Sequence, residues 1–546
     1  MDALQRLIDA DAVVRLKNRD PLLFSDDVDA RQPIIQRLGW TDLASAAIGR
    51  IPLVENLARA LVAEGATDIV LLGMGGSSLA PLVISRVIGP SEGMPRLHVL
   101  DTTSPVVVRK LLDELDPAST FFLVSSKSGT TIEPLSLYAV FREWMDANFE
   151  RPAAGQHFIA VTDPGTPLEK MRQKQVMRVA LSAPATVGGR FSALSMFGLA
   201  PAGLIGVDLK QLIDTARTMQ DACHAPAEEN PGAQLAAWMV DGYESGHDKL
   251  TVIASPEYRS FGLWIEQLVA ESTGKNGEGI VPVLEHSMDP RRVFGDDRAF
   301  VVIRRPDDAH LINFVLERRD TCRLMEYEVG APLDIGAEFV RWEYAVALVG
   351  HLMGINPFDE PNVGQAKEAT ARVLAGTAAA PRAIADVDGV WVTYAGPLED
   401  AVAPTNLHEA LHPLASAMRP DDYLALLAYL PDDEALFAPL RAAATTLSSA
   451  RQTAVCVEMG PRYLHSTGQL HKGGRDNGLF LVITARDRVD VHIPGADMTL
   501  GQLFRAQAEG DLVTLAAHGR RVMRFDLPDS TPESVARLAA AIQSLA

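Results

Sequence analysis

The chain has 546 residues, 47% hydrophobic and 22% charged, with a formal net charge of −20. That composition excludes a disordered chain, and the negative field excludes nucleic acid and anionic membranes as partners. An anionic small molecule can bind only where positive side chains and backbone N–H groups are concentrated. Cys223, Cys322 and Cys456 lie far apart and form no CxxC pair, which fits a reducing compartment and argues against disulfides or zinc. The N-terminus has no apolar signal-peptide core, and no run of about 18 apolar residues occurs. The expectation is a cytoplasmic multidomain enzyme.

Residues 1–50 read as a helical segment without evident chemistry. Apolar runs at 68–72, 97–100, 120–124, 158–161 and 177–181, separated by helical stretches, predict a parallel sheet covered on both faces within 51–210. A helical bridge over 211–248 follows. Strands at 250–254, 299–304 and 323–329, with a helix running to about Glu271 and a long apolar helix over 336–353, predict a related domain over 249–375. Past the Ala/Gly-rich stretch 375–381, strands at 390–394, 423–430, 454–458 and 479–484 predict a further α/β unit over 376–546.

Parallel α/β sheets bind ligands outside the carboxyl ends of their strands, and polar loops fall at such ends here. Gly73-Met74-Gly75-Gly76-Ser77-Ser78 lets backbone approach a ligand and opens a helix whose N–H groups face an anion. It lacks the third glycine of a dinucleotide fingerprint, although Asp101 ends the next strand where a ribose-binding acid would stand. Ser126-Lys127-Ser128-Gly129-Thr130-Thr131 gathers more hydroxyls around a lysine than a helix cap needs, and suits a phosphate monoester. In Gly188-Gly189-Arg190-Phe191-Ser192 an arginine is held beside backbone donors; it can stabilise negative charge but cannot act as a base. Gln267 and Glu271 share a helix face. A carboxylate at the end of an apolar helix can be held desolvated as a base, although alone it also reads as a surface glutamate. Gly354-Ile355-Asn356-Pro357-Phe358-Asp359-Glu360-Pro361 stops the long helix, and Lys367 follows on a new one. No motif calls for a metal or a cofactor.

In chain order, LGMGGSS, SKSGTT, VGGRFS, QLVAESTGK and GINPFDEPNVGQAK resemble the phosphoglucose isomerase family over about residues 65–370. RYLHSTGQLHKGG, starting at Arg462, resembles the isomerase half of bacterial bifunctional transaldolase/phosphoglucose isomerases. The resemblance implies an α/β protein with two flavodoxin-like parallel-sheet sugar-isomerase domains plus a C-terminal α/β extension. It implies reversible isomerisation of glucose 6-phosphate and fructose 6-phosphate through a cis-enediol, with no metal. Glu271 would be the base, Arg190 the enediol stabiliser, Lys367 the aid to ring opening and Gln267 a sugar-binding side chain. Gly76, Ser77 and Gly189 would line the sugar phosphate, and Ser126, Lys127, Ser128 and Thr131 would hold its phosphate.

Two departures stand out. The family's G-x-H-x-F histidine is matched by Gly295-Asp296-Asp297-Arg298-Ala299-Phe300, and arginine cannot shuttle a proton. Glu360 replaces the usual glutamine. His465 and His471, in a dense polar segment, are the expected substitutes for the missing histidine. A bifunctional phosphoglucose/phosphomannose isomerase and a non-catalytic sugar-phosphate-binding module stand as alternatives, and a homodimer is left open.

Overall fold

The computed structural model describes residues 2–287, 289, 292–377 and 381–546, so three alanines of the expected Ala/Gly-rich junction lie outside the described residues. The first sheet contains β1 (Asp68–Leu72), β2 (Arg96–Leu100), β3 (Thr120–Ser125), β4 (Phe158–Thr162) and β5 (Val179–Ser182). Its order is β2-β1-β3-β4-β5, parallel throughout. β1, β3 and β4 are buried along their whole length, which is why each reads as an unbroken apolar run.

The second sheet holds β6 (Lys249–Ala254), β7 (Val281–Leu284), β8 (Arg298–Arg304) and β9 (Arg323–Glu328), again parallel, in the order β7-β6-β8-β9. The sequence reading misses β7, a four-residue strand containing Pro282, a residue that argues against a strand interior. The third sheet is built from β10 (Ala385–Val387), β11 (Val390–Ala395), β12 (Tyr423–Ala428), β13 (Ala454–Met459), β14 (Gly478–Ala485) and β15 (Arg521–Leu527). Its order is β10-β11-β15-β14-β12-β13, with β10 and β11 antiparallel. The parallel part, β13-β12-β14-β15, repeats the strand order of the second sheet. β15 also escapes sequence reading, because Arg521, Arg524 and Asp526 interrupt its apolar pattern.

The helices that build the site are α1 (Leu79–Val87), α2 (Ile132–Asn148), α3 (Phe261–Thr273), α4 (Ile335–Leu352), α5 (Pro361–Leu374), α6 (Gly468–Gly473) and α7 (Leu500–Ala517). α3 buries Trp264, Ile265, Leu268 and Val269 in one continuous core with Leu71 of β1 and Phe339 of α4. Leu7, Leu16, Trp40 and Leu43 join the same core, so the N-terminal segment is packed into the first two units. α5 lies along α7, and a Cβ at Gly510 would stand 2.8 Å from the Thr370 backbone nitrogen, so that glycine sets the helix approach. Among the described residues, no helix is long and apolar enough to cross a membrane.

Candidate active site

The loop after β1 is a meeting point of backbones. A Cβ at Gly76 would stand 2.1 Å from the Gly189 carbonyl oxygen. Gly75, with φ of +54°, would carry a Cβ 2.9 Å from the His465 carbonyl oxygen. Only glycines admit both approaches. They bring the Gly189–Arg190 turn and a segment of the third unit against the carboxyl edge of the first sheet, with Ser77 buried beside them.

The loop after β3 follows. Ser126 Oγ lies 3.0 Å from Thr131 Oγ1 and accepts from the Gly129 N–H at 3.1 Å. Ser128 Oγ lies 2.9 Å from Thr130 Oγ1. Thr131 is the residue before α2, so the loop opens on a helix N-terminus. Lys127 Nζ pairs with Asp163 at the end of β4. Burial pulls the Lys127 ammonium below the usual lysine range, against the attraction of Asp163.

Glu271 sits near the end of α3, 8% exposed. Its Oε1 is 3.0 Å from Arg190 Nη1, and its Oε2 accepts from Gln267 Nε2 at 3.2 Å. Arg190 is itself held on all sides: Nε donates to Ser272 Oγ at 2.8 Å, Nη2 to the Asp359 carbonyl at 3.0 Å, and Nη1 reaches Glu360 Oε2 at 3.3 Å. Lys275 fixes the same 356–359 turn, donating to the Asn356 carbonyl at 2.6 Å and to Asp359 Oδ1 at 2.7 Å. Burial pushes the Glu271 carboxyl above the ordinary glutamate value; Arg190 opposes the rise and Glu360 adds to it. A carboxylate raised in this way is a stronger base than a free glutamate.

On the far side, His465 Nε2 lies 2.9 Å from Glu133 Oε1, in the first turn of α2. The same Glu133 oxygen accepts from Gln507 Nε2 of α7 at 2.7 Å, and Gln507 Oε1 accepts from Thr103 Oγ1 at 2.7 Å. Burial pushes Glu133 up, but the His465 charge and hydrogen bond, with help from Lys367, outweigh it and hold the carboxyl below the ordinary glutamate value. Gln267 Nε2 donates to the His465 carbonyl at 2.8 Å, so the imidazole-bearing segment and the Glu271 helix are tied together. Lys367 is exposed on α5 and its charge reaches Glu133.

A family model for phosphoglucose isomerase matches residues 59–291. Glucose-6-phosphate isomerase of Rubrobacter xylanophilus is 26% identical over 363 residues, covering 58% of this chain and 84% of that protein. The Thermus thermophilus glucose-6-phosphate isomerase is 34% identical over 209 residues, 38% of this chain and 49% of that protein. A solved glucose-6-phosphate isomerase from Chlamydia trachomatis shares the fold, with a TM-score of 0.52 at 20% identity over 60% of this chain and 73% of that one.

The phosphoglucose isomerase stretch holds Gly76, Ser77, Ser126, Lys127, Ser128, Thr131, Gly189, Arg190, Gln267 and Glu271, whereas Lys367 and His465 come from beyond it. The two histidines of the polar segment part company. His465 faces the cleft, whereas His471 is 2% exposed, enclosed by Tyr423, Tyr463 and Phe480 with Glu458 at 3.2 Å. His471 lies on α6 and His465 before it, and the enclosed His471 ring does not reach the Glu133 side. Arg298 is buried against Thr251 and Ser448, and the charges acting on it are those of Asp297, Glu285, Cys456 and Arg292, not those of the cleft. Asp101 is gripped by Arg462 through two 2.7 Å contacts, so its carboxylate is committed to an interdomain pair and is not offered to a ribose.

Sequence reasoning missed Glu133 and Gln507. An acidic residue in a first helical turn ordinarily complements the helix dipole, so Glu133 carries no local sign of a second role. Gln507 lies in the middle of a helix with no motif around it.

Proposed function

We propose that the chain interconverts glucose 6-phosphate and fructose 6-phosphate as an aldose–ketose isomerase, with Glu271 as the base. The observation that carries this reading is a buried carboxylate, raised above the ordinary glutamate value by burial, 3.0 Å from a guanidinium and tied to Gln267 on the same helix face. The glucose-6-phosphate isomerases named above support the substrate pair.

The loop Ser126–Thr131 holds the phosphate, with Gly76, Ser77 and Gly189 shaping the wall beside the sugar. Ring opening takes the proton from the anomeric hydroxyl and delivers one to the ring oxygen. His465, oriented by Glu133, exchanges these protons, and Lys367 assists from α5. Glu271 then takes the proton from C2, giving a cis-enediol whose developing negative charge faces Arg190. The carboxylic acid returns the proton to C1 as the C2 hydroxyl proton passes to the oxygen on C1, which yields the ketose. The isolated thiols support a cytoplasmic setting.

Incubating the purified chain with glucose 6-phosphate and, separately, with mannose 6-phosphate tests the reading by following fructose 6-phosphate. Turnover of the first alone is expected. Turnover of both favours the bifunctional alternative, and binding without turnover of either favours a binding module.

A further inference from the structure

The N-terminal segment touches the site at a point no motif marks. Leu38 forms an antiparallel bridge with Val187, and the Gly39 N–H donates to the Thr186 carbonyl at 2.9 Å. A Cβ at Gly39 would stand 2.2 Å from Thr186 Oγ1, so that contact is open only to glycine. Trp40 stacks on Phe191 with ring centroids 5.1 Å apart. Residues 38–40 are therefore locked against the strip that carries Gly188, Gly189 and Arg190. The preceding residue, Arg37, is delivered alongside the Gly188–Gly189 turn, where its Cδ would lie 3.8 Å from a Cβ at Gly188.

There the Arg37 guanidinium stands within electrostatic reach of Lys127 and Asp163. Asp163 is already paired with Lys127. The Arg37 backbone N–H donates to the Ile34 carbonyl at 2.8 Å, but among the described residues its half-buried side chain has no hydrogen bond or ion pair. The single carboxylate of Asp163 stands between two cations there, so the place beside the hydroxyl loop keeps a net positive charge that a further anion can meet. A chain of net charge −20 also needs local positive charge to admit a dianion. Guanidinium presents a planar fork that fits two oxygens of a phosphate, and this one is unoccupied by protein acceptors.

We propose that Arg37 is a phosphate-binding residue, closing over the phosphate of the bound sugar from the side opposite the Ser126–Thr131 loop. The inference rests on the reading of that loop as the phosphate subsite. It gives the N-terminal segment a specificity role: the segment selects phosphorylated over free sugars.

Calorimetric titration of the full chain with inorganic phosphate tests it, using Arg37→Ala and Thr131→Ala side by side. Charge-assisted hydrogen bonds of this kind correspond to a loss of about 10–100-fold in affinity for Arg37→Ala. A comparable loss for both variants supports the proposal. A loss for Thr131→Ala with Arg37→Ala within about twofold of the parent overturns the role of Arg37 and leaves the loop as the subsite. No loss for either overturns both readings. If Arg37→Ala does not fold, Arg37→Gln, which keeps part of the stem along Gly188, replaces it in the same comparison. A merely structural arginine would lower the melting temperature without changing phosphate affinity in the folded variant, and that result also overturns the proposal.

Discussion

Glu360 Oε2 lies 3.3 Å from Arg190 Nη1, the nitrogen that Glu271 Oε1 approaches to 3.0 Å. One guanidinium thus serves two carboxylates. The glutamine-to-glutamate departure at 360 is thereby accounted for: its charge is partly met by Arg190, and the remainder acts on the base. Glu360 raises the Glu271 carboxyl beyond what burial alone achieves.

Glu360→Gln should therefore move the acid limb of kcat/KM to lower pH. Glu271 works as a base only when ionised, so activity is lost as pH falls through its folded-state pKa. Removing the neighbouring negative charge lowers that pKa and extends activity downward. A limb that stays in place, or moves up, would show that Glu360 does not act on the base.

Glu271→Gln should abolish isomerisation while leaving sugar-phosphate affinity within about tenfold, because the amide keeps the shape and loses the base. Single-turnover kinetics together with equilibrium binding checks both halves. Parent-like turnover would remove Glu271 from the chemistry.

His465→Asn should slow turnover of cyclic glucose 6-phosphate far more than turnover of substrate supplied in open-chain form. His471→Asn should alter stability through the packing of Tyr423, Tyr463 and Phe480 and spare that ratio. If His465→Asn reduces both substrates equally, ring opening is assigned to another group.

Lys275→Met should destabilise the fold by about 1–3 kcal/mol, since it removes the charge-assisted hydrogen bonds that the buried ammonium donates to the 356–359 turn. Burial pulls the Lys275 ammonium down to about 8 from an ordinary 10.5. Between those values the unfolded chain binds more protons, so this lysine makes stability rise with pH across that window. The gap between parent and variant in urea unfolding should accordingly widen from about pH 7.5 to about pH 9.5. A gap that narrows would contradict the depressed ammonium.

The two parallel-sheet units were legible because β1, β3, β4, β6 and β8 are each a short apolar run with turn chemistry behind it. The phosphate loop, the Gly189–Arg190 turn and the Gln267–Glu271 face were legible for a similar reason. Each is contiguous chain at the end of one element, so residue type and spacing already fix its local geometry. Glu133, His465, Gln507 and Lys367 are different. They sit on four segments whose relation is set by α5 lying along α7 and by Gly75 admitting the backbone of His465. Arg37 likewise depends on Gly39 and Trp40 packing against residues 186–191. Local periodicity and turn chemistry are written in neighbouring residues. Which distant segments meet is decided only when buried surfaces pack: the sequence by itself therefore determined the Gln267–Glu271 face and the Ser126–Thr131 loop, while the tertiary structure decided that His465 meets Glu133 and that Arg37 lies along Gly188.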